Sequence, residues 1–360
     1  MTDTPMTRWA ILGTGVVSRK FVMGLKPLAR QIHIAAVASR SAENARQFAS
    51  HFGIPDAVST YADAVMRSDV DVVYIATPPS EHEAHALLAI AAGKAVLIEK
   101  PFALDASAAQ RIVNAARIAG VFCMEAMWTR FLPMLAEVRN RLAQQELGEV
   151  RAFHGSFMGA DIVNPRTSLF DPARGGGALM HRGVYPLSLA RHLMGPVTDV
   201  TARGHVGNTG VDEDCAVILR HEAGAISTIT ASLRAPGANN LMISGTGGVL
   251  HVSAPIFRPH HAVWRLSKPR TSFEKTGGRL ENLREAGFAQ RLNQVVPDAL
   301  RQFMGGSRSI HRPYAGNGYH YEAAEVAFRL GRNELESPLM PLQESIEIMA
   351  VIDEARSQFR

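Results

Sequence analysis

Residues 8–18 read Arg-Trp-Ala-Ile-Leu-Gly-Thr-Gly-Val-Val-Ser. A short apolar run stops at a glycine pair, and VVSRKFVMGLKPLA follows with helical spacing. This is a buried strand, a tight turn and a helix. Gly13-Thr14-Gly15-Val16-Val17-Ser18 gives the turn the pattern G-x-G-x-x-S, a relaxed dinucleotide fingerprint. The first glycine permits the turn, and the second lets backbone amides approach a pyrophosphate. The third position, here Ser18, must be small for helix to pack on strand. Gly13, Thr14, Gly15, Val16 and Val17 are therefore the expected phosphate-binding segment.

Outward from that turn the same alternation continues. IHIAAVASR, VDVVYIATPPS, KAVLIEKP and VFCMEAMW read as strands. SAENARQFASHFG, EHEAHALLAIAAG and DASAAQRIVNAARIAG between them read as helices. Ser41 is placed to cap the first of these helices and Gly53 to stop it. Strands separated by helices make βαβ units and a parallel sheet. From about residue 145 the texture changes. GEVRAFHGSFMG, VTDVTARGHVG, DCAVILRHEAG, AISTITASLRA and GVLHVS are strands at short spacing, with no helix among the last four. They predict a second, mainly antiparallel sheet. ALMHRGVYPLSLARHLMG, YHYEAAEVAFRLGR and LQESIEIMAVIDEARSQF are helical. The Pro-, Gly- and Arg-rich segment 255–313 is assigned no fold beyond a short helix around 281–304. The fold class is α/β, with a boundary expected between residues 124 and 125.

Composition narrows the function. Of 360 residues 46% are hydrophobic, enough for a large core, yet no run reaches the roughly 18–20 apolar residues of a membrane span. MTDTPMTRW lacks the features of a secretory leader, and the two cysteines, Cys123 and Cys215, form no C-x-x-C pair. No disulfide framework or zinc site is expected, and the cytoplasm is the natural compartment. The net charge of +5 is dispersed, with no basic stripe or module for nucleic acid. His82-Glu83-Ala84-His85 falls one residue short of H-E-x-x-H, so no metal is expected there either.

The end of the second strand bears on the cofactor. An NAD site wants a carboxylate there for the ribose 2′-hydroxyl, and this chain has Ser39-Arg40-Ser41. A serine removes the charge that would repel a 2′-phosphate, and Arg40 can pair with one. NADP is favoured over NAD. At the end of KAVLIEKP, Lys100 stands where parallel sheets place ligands. Pro101 biases Lys100 away from helix and leaves their peptide bond open to cis. Glu99 is placed to orient the lysine or a nicotinamide ribose; a plain surface strand end would read the same. In GGGALMHRGVYPL, residues 175–187, a helix from Ala178 would put His181 and Tyr185 on one face, one turn apart.

Several motifs recur together in order. They are G-x-G-x-x-S, then Ala76-Thr77-Pro78 with Ser80 and His82, then Ala92-Gly93-Lys94 leading into Glu99-Lys100-Pro101, then Gly175-Gly176-Gly177-Ala178-Leu179 and Gly245-Thr246-Gly247-Gly248. With the closing helices they resemble the glucose–fructose oxidoreductase / inositol dehydrogenase / rhizopine-catabolism family over nearly the whole chain. Met124-Glu125-Ala126-Met127-Trp128-Thr129-Arg130-Phe131-Leu132-Pro133 resembles its branch of dimeric dihydrodiol dehydrogenases and NADP-linked aldose dehydrogenases. The resemblance implies a Rossmann domain over 1–124. It implies a substrate-binding and dimerisation domain over 125–360, with an open sheet that joins a homodimer or tetramer. It implies hydride transfer at a carbinol or carbonyl carbon of a sugar or cyclic diol.

The resemblance also assigns residues. The family lysine falls on Lys100, and the branch's acid/base tyrosine on Tyr185. Trp128 falls on the branch's substrate-pocket tryptophan, with Phe157 in the same pocket; Thr77, Pro78 and Glu99 are expected cofactor contacts, and His82, after the Pro-Pro break, is placed toward the nicotinamide side of the cleft. The usual Asp-x-Gly-x-Tyr keeps Gly183 and Tyr185, but His181 stands where the aspartate should be. A free phenol has pKa ~10 and is a poor base at neutral pH. A lysine cation beside it favours the phenolate, so Tyr185 is expected to move the proton with Lys100 as its electrostatic partner. A neutral His181 can accept from Lys100 or substrate, relay a proton, or simply pack. That departure leaves a second reading open, a protein that binds NADP and a ligand without turning it over, as a sensor or regulator. A third keeps the same residues and runs mainly as a keto-sugar reductase.

Overall fold

A computed structural model describes residues 6–267 and 307–359. The helix expected around 281–304 lies outside the described residues. The first sheet has strands β1 (Thr7–Leu12), β2 (Ile32–Ala38), β3 (Asp56–Val58), β4 (Val72–Ile75), β5 (Ala95–Glu99) and β6 (Cys123–Ala126). They are all parallel, in the order β3-β2-β1-β4-β5-β6. This is the Rossmann arrangement, and the order turns back on itself between β1 and β4. Trp9, Ala10, Ile11 and Leu12 are fully buried, as a strand covered on both faces requires.

The covering helices include α1 (Val16–Gly24), α2 (Ala42–Phe52), α3 (Tyr61–Val65), α4 (His82–Ala91) and α5 (Ala106–Ala119). α2 starts and stops on the expected residues. The Ser41 hydroxyl accepts from the Asn44 amide, and Gly53 follows the last turn in the left-handed conformation. α3 was not expected; at five residues it carries too little periodicity to be read.

A 3₁₀ turn, Trp128–Phe131, and α6 (Pro133–Ala143) lead into the second sheet. Its strands are β7 (Val150–Met158), β8 (Val197–Val206), β9 (Asp212–His221), β10 (Ile226–Ser232), β11 (Leu241–Gly245), β12 (Gly248–Val252), β13 (His261–Leu266) and β14 (Ser307–His311). The order is β14-β13-β12-β11-β7-β10-β9-β8, and only β7 and β10 run parallel. Three strands were not expected. β11 is folded back onto β12 by the tight Thr246-Gly247 turn, and β13 and β14 come from the segment left without a fold.

One face of this sheet is covered by α7 (Val184–Met194) and the turn before it. The other face leaves Ile218, Ile226 and Met242 exposed. Two helices finish the chain, α8 (His320–Leu330) and α9 (Leu342–Ser357). α9 reaches both sheets. Its Asp353 carboxylate accepts from the Ala106 amide, its Ser345 hydroxyl donates to Glu125, and its Gln358 bonds Val200 and Ala202 on β8.

Candidate active site

The cofactor cleft begins where the first strand ends. Gly13 has φ +104, and a Cβ there would lie 2.6 Å from the Ala76 carbonyl oxygen. Only glycine lets β1 pass so close to the end of β4. Gly15 precedes α1 and faces open space, and no side chain caps that helix. The first amides of α1 are therefore free to meet an anion, as a bound pyrophosphate requires. Gly13, Thr14, Gly15, Val16, Val17, Ser39, Arg40, Thr77, Pro78, Glu99, Lys100 and His181 all line one cleft of about 610 Å³ along the carboxyl ends of the strands. Ser41, read from sequence only as a helix cap, also lines it, as do Asn44, Tyr61 and Arg174, which were not singled out. These residues fit a dinucleotide: a glycine turn, an uncapped helix start and a long groove at the topological switch point.

Ser39 sits at the end of β2 with its hydroxyl 3.3 Å from that of Thr14, and Arg40 beside it is exposed. No carboxylate lines this end of the cleft. His82 does not line the cleft. It is 1% exposed, its Nε2 is 2.9 Å from the Thr77 carbonyl and its Nδ1 3.0 Å from the Pro101 carbonyl. It ties together the two loops that form the wall. His85 turns elsewhere, its Nδ1 3.0 Å from the Thr77 hydroxyl. Among the described residues no group of three or more His, Cys, Asp or Glu side chains is placed to hold a metal.

At the far end Glu99 is buried. It accepts from the Tyr74 hydroxyl at 2.6 Å and from the Lys100 amide at 3.1 Å. Burial raises its pKa, opposed by the charge of Lys100 and the Tyr74 bond. The Lys100–Pro101 peptide is cis. Burial lowers the pKa of Lys100, while Glu99 and then Glu125 on β6 act to hold its proton. Glu125 is itself pushed up to about 7 by burial.

His181 and Tyr185 are not one α-turn apart. Leu179–Gly183 forms a π turn, in which the Val184 amide donates to the Leu179 carbonyl five residues back. Pro186 has no amide hydrogen for the Arg182 carbonyl, so an ordinary helix would be broken here in any case. Asp212 accepts from the Leu179 amide at 2.7 Å and so fixes the start of the turn. Gly177, at φ +126, leaves the room that the Asp212 carboxylate needs. A π turn inside a helix commonly marks a functional site.

The consequence is a different set of contacts. The Lys100 ammonium donates to the backbone carbonyl of His181 at 3.3 Å, not to its imidazole. The imidazole lies at the cleft with a buried, unpartnered Nε2. Burial and then the Lys100 charge push its pKa down to about 3, so it is neutral. The same ammonium stands 5.0 Å from the centroid of the Tyr185 ring. The phenol oxygen accepts from the Trp128 indole N–H at 3.4 Å. Burial, and then the charge of Glu99, raise the Tyr185 pKa above its ordinary value. Lys100 was expected to favour the phenolate. In this geometry it faces the ring, and the phenol keeps its proton.

Aromatic rings enclose that phenol. Phe157 meets Tyr185 edge-on at 5.4 Å and stacks on Phe257 at 5.0 Å, and Trp128 stacks on Tyr319 at 4.7 Å. Arg182 holds the Phe157 side, its guanidinium 5.7 Å from that ring and bonded to Gly159, Ser232 and Asp161. Trp128 and Phe157 thus stand beside Tyr185. Phe257 and Tyr319 were missed; one follows β12 in the unassigned segment, and the other opens α8, far along the chain.

Two matches to known families cover the regions just described. Residues 7–127 match an oxidoreductase family with an NAD-binding Rossmann fold, and residues 135–251 match the GFO/IDH/MocA C-terminal domain. A trans-1,2-dihydrobenzene-1,2-diol dehydrogenase from Bos taurus is 32% identical over 352 residues, covering 97% of this chain and 96% of that protein. The chain belongs to the GFO/IDH/MocA oxidoreductase family. It is accordingly an NAD(P)-binding oxidoreductase. Solved structures share its fold from end to end. The 3-ketoreductase KijD10 from Actinomadura kijaniata, in complex with NADP and TDP-benzene, is 22% identical with a TM-score of 0.78, covering 99% of this chain and 98% of that one. A levoglucosan dehydrogenase in complex with NADH and levoglucosan is 18% identical with a TM-score of 0.81, covering 98% and 96%.

Proposed function

We propose that this GFO/IDH/MocA oxidoreductase uses NADP to interconvert a carbinol and a carbonyl in a sugar or cyclic diol. Tyr185 handles the proton, and Lys100 polarises the reacting oxygen. The observation that carries this reading is the Lys100 ammonium over the Tyr185 ring, at the end of the cofactor cleft. When bound, the nicotinamide supplies or accepts the hydride. Tyr185, protonated at rest, gives its proton to the oxygen of the carbonyl being reduced, and Lys100 stabilises the negative charge that develops there. The resting site is set for reduction; oxidation needs the phenolate first. Glu99 holds the Lys100 amide and helps keep the ammonium charged. Trp128 and Phe157 form the apolar wall against which a ring lies.

Ser39 and Arg40 support NADP, since no acidic group guards that end of the cleft. KijD10 carries NADP; the levoglucosan dehydrogenase carries NADH. The dihydrodiol dehydrogenase relative supports a diol or sugar substrate. The cofactor unit is residues 1–124 and the substrate unit 125–360. The open face of the second sheet, with Ile218, Ile226 and Met242, supports a homodimer or tetramer. Two buried free cysteines suit the cytoplasm.

The test follows absorbance of NADPH on a panel of keto-sugars, aldoses and trans-dihydrodiols. Turnover of at least one compound, lost in Tyr185→Phe, is expected. Tight NADP binding with no turnover across the panel would move the reading to a ligand sensor, with His181 as its mark.

A further inference from the structure

Arg258 is a cation without an anion. It sits in the turn between β12 and β13, and that turn is fixed at four points. The Ile256 amide donates to Asn239, the Arg258 amide to Pro255, the Thr129 hydroxyl to the Phe257 carbonyl, and the Tyr314 hydroxyl to the Arg258 carbonyl, at 2.7, 2.9, 2.9 and 3.3 Å. Phe257 is thereby delivered to the aromatic enclosure. Arg258 is delivered to the face of Trp128, its guanidinium 5.6 Å from the ring centroid. The same indole donates its N–H to the Tyr185 oxygen.

Several other part-buried arginines are paired with carboxylates, while Arg139 and Arg174 have backbone carbonyl or imidazole partners instead. Arg130 is bridged to Glu344, Arg141 to Glu137, Arg182 to Asp161, Arg191 to Glu347 and Arg329 to Glu325. Arg258 has no salt bridge among the described residues, and its Nε is buried without a hydrogen-bond partner. The unpaired carboxyl of Glu322 does not serve it, since both oxygens of Glu322 are buried and without partners. The Arg258 charge is felt instead by the phenols of Tyr185, Tyr319 and Tyr314, each of which it pulls downward against burial.

A half-buried guanidinium left unpaired is unfavourable, and an aromatic face offsets that only in part. Its planar fork matches the two oxygens of a carboxylate or phosphoryl group. The cofactor's own 2′-phosphate does not reach it, because Ser39 and Arg40 lie at the other end of a cleft that Arg258 does not line. We infer that the substrate carries an anionic oxygen group, a carboxylate or a phosphoryl, which Arg258 receives while the reacting carbon lies at Tyr185. This rests on the placement of the substrate site proposed above.

The test is calorimetric binding to NADP-saturated protein, with D-glucuronate, D-glucose 6-phosphate and D-glucose as probes. At least one anion is expected to bind about tenfold or more tightly than glucose. Arg258→Gln should abolish that preference and leave glucose binding and NADP binding unchanged. Arg258→Lys should restore part of it, which a purely structural arginine would not allow. Preference for glucuronate alone assigns a carboxylate, and for the sugar phosphate alone a phosphoryl group. Binding of neither anion above glucose, or a preference that survives Arg258→Gln, overturns the inference. Because the readout is binding, failure of the enzymatic reading shows separately, as absent NADPH turnover with the anion preference intact.

Discussion

The ammonium of Lys100 stands over the Tyr185 ring, 5.0 Å from its centre, so the lysine charge meets the π face and leaves the phenol oxygen to Trp128. A cation on the ring face steadies the aromatic group without removing its proton. In the proposed reaction the Tyr185 hydroxyl is the group that gives up the proton. Tyr185→Phe keeps the ring and its contact with Lys100 and removes the hydroxyl that carries the proton and accepts from Trp128. Its kcat should fall by about 10²–10⁴-fold with little change in KM. NADPH absorbance on the best substrate checks this. Turnover within about tenfold of the wild type would take Tyr185 out of the proton path.

Cofactor choice is expected to reside in Ser39 and Arg40. Arg40→Ala should lower kcat/KM for NADP by about 10- to 100-fold, the range of one charge-assisted hydrogen bond, and leave the value for NAD unchanged. Ser39→Asp should go further and favour NAD, because the new carboxylate repels a 2′-phosphate and bonds a 2′-hydroxyl. Steady-state kinetics with both cofactors decide; an Arg40→Ala variant with its NADP preference intact would place recognition elsewhere.

Burial and the Lys100 charge push the His181 pKa down to about 3, so near neutral pH the imidazole adds no charge to the site. His181→Asp puts a carboxylate near Lys100 and opposes the effect of burial on that lysine. Lys100 then keeps its proton to higher pH, and the alkaline limb of kcat/KM should move up by about one unit or more. A pH–rate profile that does not move would make the imidazole a group that only fills space.

Glu322 is fully buried with both oxygens unpartnered, and burial raises its pKa well above the ordinary value. In the unfolded chain a glutamate titrates near ~4.3. Between that pH and the raised folded value, the folded state holds a proton that the unfolded state has released. Stability is therefore fully present below the unfolded pKa and is lost as pH rises, at up to about 1.4 kcal/mol per pH unit. Glu322→Gln has no such proton to hold. Its thermal midpoint should exceed that of the wild type at pH 8, and the gap should close toward pH 4.5. Equal midpoints at pH 8 would mean that Glu322 ionises at no cost.

The first sheet was legible because its longer strands are mostly apolar runs separated by helices, and α2 and α5 each carry both a side-chain cap and a glycine stop. Short elements such as α3 and β3 carry too few residues for any period to show. The Lys100–Tyr185 pairing came from position in the motif and not from helical spacing, since the π turn shifts the phase of everything after it. Phe257, Tyr319 and Arg258 could not be found that way. Each reaches the site from a loop or helix start whose neighbours are set by long-range folding. Arg258 does carry one local sign, a lone Arg between Phe257 and Pro259 after a Pro-bounded break, but nothing in it says that the charge is left unpaired.

The final helix has a bearing on how the molecule comes into being. α9, together with Gln358 just past its end, bonds the start of α5, the tip of β6 and the first strand after α7, and Glu344 on the same helix grips the fully buried Arg130. A nascent chain can complete its parallel sheet while most of the rest is still being made. The bonds that α9 and Gln358 make form only once residues 342–358 have been synthesised. A transcript cut short before residue 342 would yield strands without the helix that ties the two sheets, and an Arg130 without its Glu344 carboxylate.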